Sequence, residues 1–274
     1  MKKVLIVILN YKTYEMTLNL INELNTLDRS LFDIYVVDNN STNESANILE
    51  EYSEKLDFYL YKNEVNSGYA CGNNIGLRYS IKNHYKYSLI MNNDLKIIDK
   101  LFLEKMVNEI EKNPNIGCVG PKIFSLDNII VPPYCDRPSF FSMTIGMGIE
   151  KRKRAKYNTK SRFVYRVFGC CMLLNNQLIS KVDLLDERTF LYCEEDILAE
   201  KFIKNNIKTY YCSEASIVHM ESSTVKKETR NRMLSRFKPF IDSFDLYLRE
   251  YREFNELKIL LCKLFRLLVL YIRG

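Results

Sequence analysis

Tyr87-Ser88-Leu89-Ile90-Met91-Asn92-Asn93-Asp94 is an apolar run of strand length that ends on two amides and a carboxylate. In open α/β sheets ligands gather outside the carboxyl ends of the strands, so a strand that ends this way presents Asp94 as a functional group. Taken alone, Asp94 is equally a helix cap or a turn carboxylate. Its meaning depends on what other strands bring to the same edge.

Working outward, residues 4–9 and 34–37 are apolar, β-branched runs, and Met16, Leu20, Ile21, Leu24 and Leu27 recur between them at helical spacing. That β-α-β unit predicts an α/β fold built on a parallel sheet. Ser41-Thr42-Asn43-Glu44 has the form of a capping box opening a helix over about 43–53. Residues 58–61 read as a third strand, 73–83 as a helix and 87–91 as the fourth strand. Asp99 then caps a helix to about 112, which Asn113-Pro114-Asn115 ends.

From 125 to 165 prolines, glycines and the run Lys151-Arg152-Lys153-Arg154 read as an exposed loop or lid, the charges being equally a solvated face. Regular structure resumes at 164–168 and 172–174, before an acidic segment at 183–200 and a strand at 209–212.

The chain has 274 residues, 47% of them hydrophobic, enough for one large domain with an appendage. Its eight cysteines form no Cys-x-x-Cys pair and no signal-peptide pattern is present, which points to a reducing, cytoplasmic setting. A net charge of +6, concentrated at 151–166 and after 226, favours a local anionic partner over nucleic acid.

Four strand ends present polar residues to one edge: Asn10-Tyr11, Asp38-Asn39-Asn40, Asn66-Ser67-Gly68 leading to Gly72-Asn73-Asn74, and Asn92-Asn93-Asp94. Asp38, at the end of the second strand, suits a ribose hydroxyl or base imide. Gly68 and Gly72 would let backbone approach a ligand, yet neither Gly-x-Gly-x-x-Gly nor Gly-Lys-Ser is present. A diphosphate bound without a phosphate loop needs a divalent ion, with Asp94 as its ligand and His219 a candidate nitrogen donor or simply a structural histidine. Glu194-Glu195-Asp196 follows the aromatic run Phe190-Leu191-Tyr192. Clustered acids raise one another's pKa and make a general base, although a helix N-terminus favours the same residues.

Taken in order, these motifs, with Phe168-Gly169-Cys170-Cys171, resemble the inverting family-two glycosyltransferases of GT-A fold over about residues 3–225. Within them the chain looks like the bacterial rhamnosyltransferase branch that extends surface polysaccharides. The resemblance implies a Rossmann-like nucleotide-binding sheet with flanking helices, spanning 1–225, while the basic, leucine-rich composition of 226–274 reads as a C-terminal amphipathic helical extension. It implies nucleotide contacts from Asn10, Tyr11, Asp38, Asn40, Asn66, Gly68, Asn73, Asn74, Asn92 and Asn93. Asp94 and His219 would hold Mg²⁺ or Mn²⁺, and Gly169 and Cys170 would lie beside acceptor or donor sugar. Asn92 replaces the first carboxylate of the family's Asp-x-Asp-like motif. The base falls on Glu195, or one position earlier on Glu194, with Asp196 beside them.

The activity implied is hexosyl transfer from dTDP-rhamnose or a UDP-hexose to a hydroxyl of a growing glycan or lipid-linked acceptor. A sugar-nucleotide pyrophosphorylase lacks its Gly-rich basic loop here, and a non-catalytic membrane assembly protein would not need Asp94, Glu195 and His219 together. In 257–273 the basic residues Lys258, Lys263, Arg266 and Arg273 fall within a ~140° arc of a helix otherwise apolar. That pattern predicts a peripheral site on the inner membrane face, against anionic lipid. Docking back on the domain, or a homodimer through the same helix, is the competing use.

Overall fold

Val4–Asn10 (β1) divides its side chains between two apolar layers, Val4, Ile6 and Ile8 in one and Leu5 and Val7 in the other. Strand side chains alternate, so a strand this apolar requires helices on both faces. Each aliphatic side chain fully buried there contributes about 1.5–3 kcal/mol, and Val4 through Ile8 are wholly enclosed.

The computed structural model describes residues 2–146, 159–220 and 230–273. After β1 come Tyr14–Leu24 (α1), Phe32–Asp38 (β2), Ser45–Ser53 (α2), Tyr59–Lys62 (β3), Gly68–Lys82 (α3), Tyr87–Asn92 (β4), Leu95–Ile97 (β5), Phe102–Lys112 (α4) and Ile116–Phe124 (β6). Ile130–Val131 (β7), Phe140–Met143 (α5), Arg162–Val164 (β8), Cys171–Asn175 (β9), Asn176–Lys181 (α6), Glu194–Lys204 (α7) and Lys208–His219 (β10) follow. Arg230–Leu246 (α8), a π-helical turn at Tyr247–Tyr251 and Glu256–Arg273 (α9) complete the described chain. The sheet runs β3-β2-β1-β4-β9-β6-β10-β5, with α1, α2 and α4 on one face and α3, α6 and α7 on the other.

The sheet is parallel from β3 to β4 and again between β6 and β10, but not throughout, which corrects the expectation of a parallel sheet: β9 enters antiparallel between β4 and β6. That reversal matters for function. It brings the start of β9 to the edge where β4 ends, and the Asn92 N–H donates to the Cys170 carbonyl at 2.8 Å.

Two further features escape the sequence reading. β6 carries Gly117, Gly120 and Pro121 and matches no simple strand pattern, yet it is an interior strand. Pro121 has no N–H to donate to a ladder, and β10 skips register opposite it, between Cys212 and Ser216. The capping box also fails. α2 begins at Ser45 without a side-chain cap, because Ser41 turns back to Asp38.

Residues expected to form a separate basic tail supply a third apolar cluster, in which Phe244, Tyr247, Leu248, Ile259 and Cys262 pack with Met143, Cys193 and Ile197. The boundary at 225/226 lies outside the described residues, as does Lys151–Arg154 of the expected lid. Lys263 of α9 pairs with Asp245 at 2.7 Å, and the Arg266 guanidinium lies over the Phe244 ring. Leu257, Leu260, Leu264, Leu267 and Leu268 are exposed instead. The outward face of α9 is therefore mainly apolar over this stretch, with Lys258 exposed among the leucines. Among the described residues no helix is long and apolar enough to cross a membrane.

Candidate active site

Parallel pairing in register sets Asn10 beside Asp38 and Leu9 beside Asn92, so the polar ends of β1, β2 and β4 share one edge. There Asp38 accepts from Asn10 Nδ2 at 2.7 Å, from Ser41 Oγ at 2.6 Å and from the Ser41 N–H at 2.9 Å. The buried Asp38 carboxylate thus fixes the turn after β2. Tyr11 and Asn40 remain exposed at this edge, Asn40 in the left-handed region at φ 59°.

Several residues expected at the nucleotide have other partners. Asn74 is buried and clamps a distant loop, donating to the Leu185 carbonyl and Glu187 and accepting from the Leu185 N–H. Asn73, fully buried within α3, donates to the Tyr69 carbonyl. Gly68, at φ +90°, lies against protein: a Cβ there would meet the Phe190 carbonyl oxygen at 2.1 Å. Asn66 Oδ1 accepts from Asn39 and from the Gly68 N–H. Asn93 donates to Thr13 Oγ1 and Thr17 Oγ1, tying the end of β4 to α1. Periodicity could not show these roles, because helix α3 starts at Gly68 and turns Asn73 and Asn74 inward.

β5 pairs antiparallel with β10, setting Leu95 opposite His219. As a result Asp94 Oδ2 lies 3.2 Å from His219 Nε2, and the Met220 N–H donates to the Asp94 carbonyl. Asp94 Oδ1 is buried with no hydrogen-bond partner. A buried carboxylate oxygen left unpaired costs about 1–3 kcal/mol, so it marks a place where a cation fits. Among the described residues no group of three or more His, Cys, Asp or Glu side chains forms a complete metal cage. A one-carboxylate, one-imidazole pair suits an ion that takes its remaining oxygens from phosphates and water.

The three acids separate into three environments. Tyr192 and Cys193 both take left-handed backbone, φ 75° and 66°, before α7 begins. For such residues that conformation costs on the order of 1–3 kcal/mol, and here it swings the helix start into the cleft. Glu194 is buried, its Oε1 lacks a partner, and burial followed by the neighbouring Glu195 charge pushes its pKa up to about 8. Glu195 Oε1 accepts from the Gly169 N–H at 2.8 Å, while the Tyr69 hydroxyl donates to the Gly169 carbonyl at 2.7 Å. Asp196 is engaged by the largely enclosed Arg166, Nε to Oδ1 at 2.7 Å.

A cleft of about 340 Å³ gathers Asn92, Gly169, Cys170, Glu194, Glu195 and His219. It brings together residues from β4, the start of β9, the start of α7 and the end of β10. Asn10, Tyr11, Asp38, Asn40 and Asn66 lie outside it, toward the β1–β2 side of the edge. The Cys170 thiol is held protonated by burial. The sequence reading missed Tyr69 of this cleft and Arg166 of the neighbouring cavity. Tyr69 stands between the Asn66-Ser67-Gly68 and Gly72-Asn73-Asn74 motifs, whereas nothing local to 164–168 signals that Arg166 pairs with Asp196.

Beneath α7, Glu200 is fully buried and accepts from Arg137 Nε at 3.0 Å and Nη2 at 2.6 Å and from the Tyr165 hydroxyl at 2.8 Å. The Tyr247 hydroxyl lies 3.0 Å from that of Tyr165. This network locks the acid-bearing helix to the 130s loop and to the C-terminal helices.

The chain is 27% identical over 250 residues to the low-salt glycan biosynthesis hexosyltransferase Agl10 of Haloferax volcanii, matching 88% of this chain and 77% of that protein. Its fold is similar to that of the mannosyltransferase PcManGT from Pyrobaculum calidifontis, solved with GDP-Man and Mn²⁺ (TM-score 0.65, 13% identity, 90% of this chain). It is also similar to S. aureus TarS 1–349 in complex with UDP-GlcNAc (TM-score 0.60, 17% identity, 90% of this chain). The chain spans 64% and 65% of those two solved chains, just under two thirds. These likenesses show the GT-A glycosyltransferase fold. The model of glycosyl transferase family 2 matches residues 4–181, most of the sheet and the first half of the cleft. The chain belongs to glycosyl transferase family 2.

Proposed function

We propose that the protein is an inverting hexosyltransferase that moves a sugar from a nucleotide-diphosphate donor to a hydroxyl of a glycan or lipid-linked acceptor. The observation that carries this reading is the cleft in which Glu195 and His219, next to Asp94, meet Asn92 and Gly169. Family membership and the hexosyltransferase relative support it. dTDP-rhamnose or a UDP-hexose is the donor class that the family resemblance implies.

Asp94 and His219 would hold Mg²⁺ or Mn²⁺, which when bound supplies counter-charge to the leaving diphosphate. Glu195, fixed by the Gly169 N–H, takes the proton of the acceptor hydroxyl. The freed oxygen forms a bond to the anomeric carbon as the carbon–oxygen bond to the diphosphate breaks on the opposite face, which inverts the centre. Glu194, protonated near neutrality, adds no second negative charge beside the base. Tyr11, Asp38 and Asn40 stand where the nucleoside would lie.

The protein would work in the cytoplasm on the inner membrane face, held by the exposed leucine row of α9 with Lys258 beside it. The decisive test is nucleotide release from a panel of sugar nucleotides with and without divalent ion. Release dependent on both acceptor and metal supports the reading; no release from any donor with any acceptor refutes it.

A further inference from the structure

A second cavity of about 290 Å³ lies against the first and shares Glu195, Phe168 and Tyr192 with it. Its far wall is C-terminal to the segment matched by the family model, in α8 and α9. There Tyr192 meets Phe240 edge-on at 5.9 Å, Phe240 stacks on Phe244 at 5.4 Å, and the Arg266 guanidinium stands over Phe244 at 5.4 Å. Aromatic rings of this kind offer apolar faces to a sugar ring.

The charges in this cavity do not cancel pairwise. Arg166 is joined to Asp196, and Glu195 accepts from the Gly169 backbone. Arg266 makes no ion pair with a carboxylate among the described residues, and its Nε is buried without a hydrogen-bond partner. Asp196 feels the Arg266 charge through space, but its carboxylate is already engaged by Arg166. A guanidinium with buried, unsatisfied N–H lacks the one class of group it binds best, a planar or tetrahedral oxyanion held by charge-assisted hydrogen bonds.

We propose that this second cavity binds the acceptor, and that Arg266 recognises an anionic oxygen group, phosphate or carboxylate, on it. The inference rests on the transferase reading above and deepens it. Because Glu195 lines both cavities, an acceptor sugar seated on Phe240 and Phe244 presents a hydroxyl to the base while the donor occupies the first cleft. Arg266 then selects acceptors by charge without touching the reacting atoms. A phosphate would belong to a sugar phosphate or lipid-linked sugar, a carboxylate to a uronic acid residue of a glycan.

The full-length protein, kept in chelator so that phosphate gains no metal at Asp94, is titrated with glucose, glucose 1-phosphate and glucuronate by NMR. The wild type is expected to bind at least one of the two anions about tenfold or more tightly than glucose, and the anion preferred tells phosphate from carboxylate. Arg266→Met should remove that preference, whereas Lys263→Met, which loses only a partner of Asp245, should keep it. Equal binding of glucose and both anions by the wild type overturns the proposal whatever the variants do. So does a preference that survives Arg266→Met in protein shown to be folded by circular dichroism. A parallel titration with sugar nucleotides and Mn²⁺ separates the two claims: failure there refutes the donor reading, while the charge preference stands or falls on its own.

Discussion

The Gly169 peptide is gripped from both sides, its N–H by Glu195 Oε1 at 2.8 Å and its carbonyl by the Tyr69 hydroxyl at 2.7 Å. A Cβ at Gly169 would come within 2.8 Å of that same Glu195 oxygen. Glycine is thus needed for the carboxylate to reach its seat. Glu195→Gln preserves size but removes proton acceptance, and a positioned base typically contributes about 10²–10⁴-fold. Turnover is expected to fall by that order with donor affinity kept. Gly169→Ala should lower turnover too, by displacing the carboxylate. Single-turnover kinetics with Glu194→Gln in parallel checks the assignment; full activity in Glu195→Gln with loss in Glu194→Gln moves the base one residue back.

Asp94 and His219 predict a metal-dependent step in binding. Asp94→Ala should abolish the gain in nucleotide-diphosphate affinity that Mn²⁺ gives, and His219→Ala should weaken it, with the fold intact. Calorimetric titration with and without chelator reads this directly, and equal wild-type affinity in both conditions would refute it.

Glu194 ties stability to pH. Its folded pKa, about 8, stands above the unfolded carboxyl value near 4.5. Its stabilising contribution is therefore complete below about pH 4.5 and is lost as pH rises through about 8, at roughly 1.4 kcal/mol per unit. Glu194→Gln should gain stability relative to wild type on going from pH 5 to pH 8. Urea midpoints measured at both values decide it; a pH-independent difference would show that Glu194 ionises freely in the folded protein.

Arg166 balances Asp196 with both side chains largely enclosed, and breaking a fully buried pair by removing one partner typically costs about 3–5 kcal/mol, an upper bound here. Arg166→Met is expected to destabilise by up to that amount and to lower turnover through movement of the α7 start. The double variant Arg166→Met, Asp196→Leu should recover much of the stability without recovering the rate. Denaturant unfolding and kinetics on the same samples make the comparison.

The leucine row of α9 predicts vesicle binding driven by apolar contact. Replacing Leu260, Leu264 and Leu267 with serine should release the protein from anionic vesicles in a sedimentation assay, while Lys263→Met, at a residue occupied by Asp245, should change it little. The opposite ranking would mean that charge, not the leucine face, holds the protein at the surface.

What the sequence disclosed depended on the range of the forces involved. β1, β2 and β4 are legible because strands enclosed on both faces are apolar throughout. β6 is not, because Pro121 is accommodated by a break in its neighbour β10, and no local pattern records a partner's irregularity. Asp94 and His219 are recognisable as residue types, but their 3.2 Å approach depends on the β5–β10 pairing between distant segments. In α9 the amphipathic pattern was visible while its orientation was not. Only Asp245 and Phe244, on another helix, show that Lys263 and Arg266 point inward.

The β5–β10 pairing also carries a consequence for the chain as it leaves the ribosome. The strands β1, β2 and β4 are synthesised early, and their parallel ladders lie wholly within residues 4–92. Asp94, however, waits for a histidine near the end of β10, and Glu195 waits for a helix that follows β9. A chain ending before residue 219 would lack the imidazole that stands beside Asp94. The candidate centre is thus closed by the segment synthesised last among those that build it, β10.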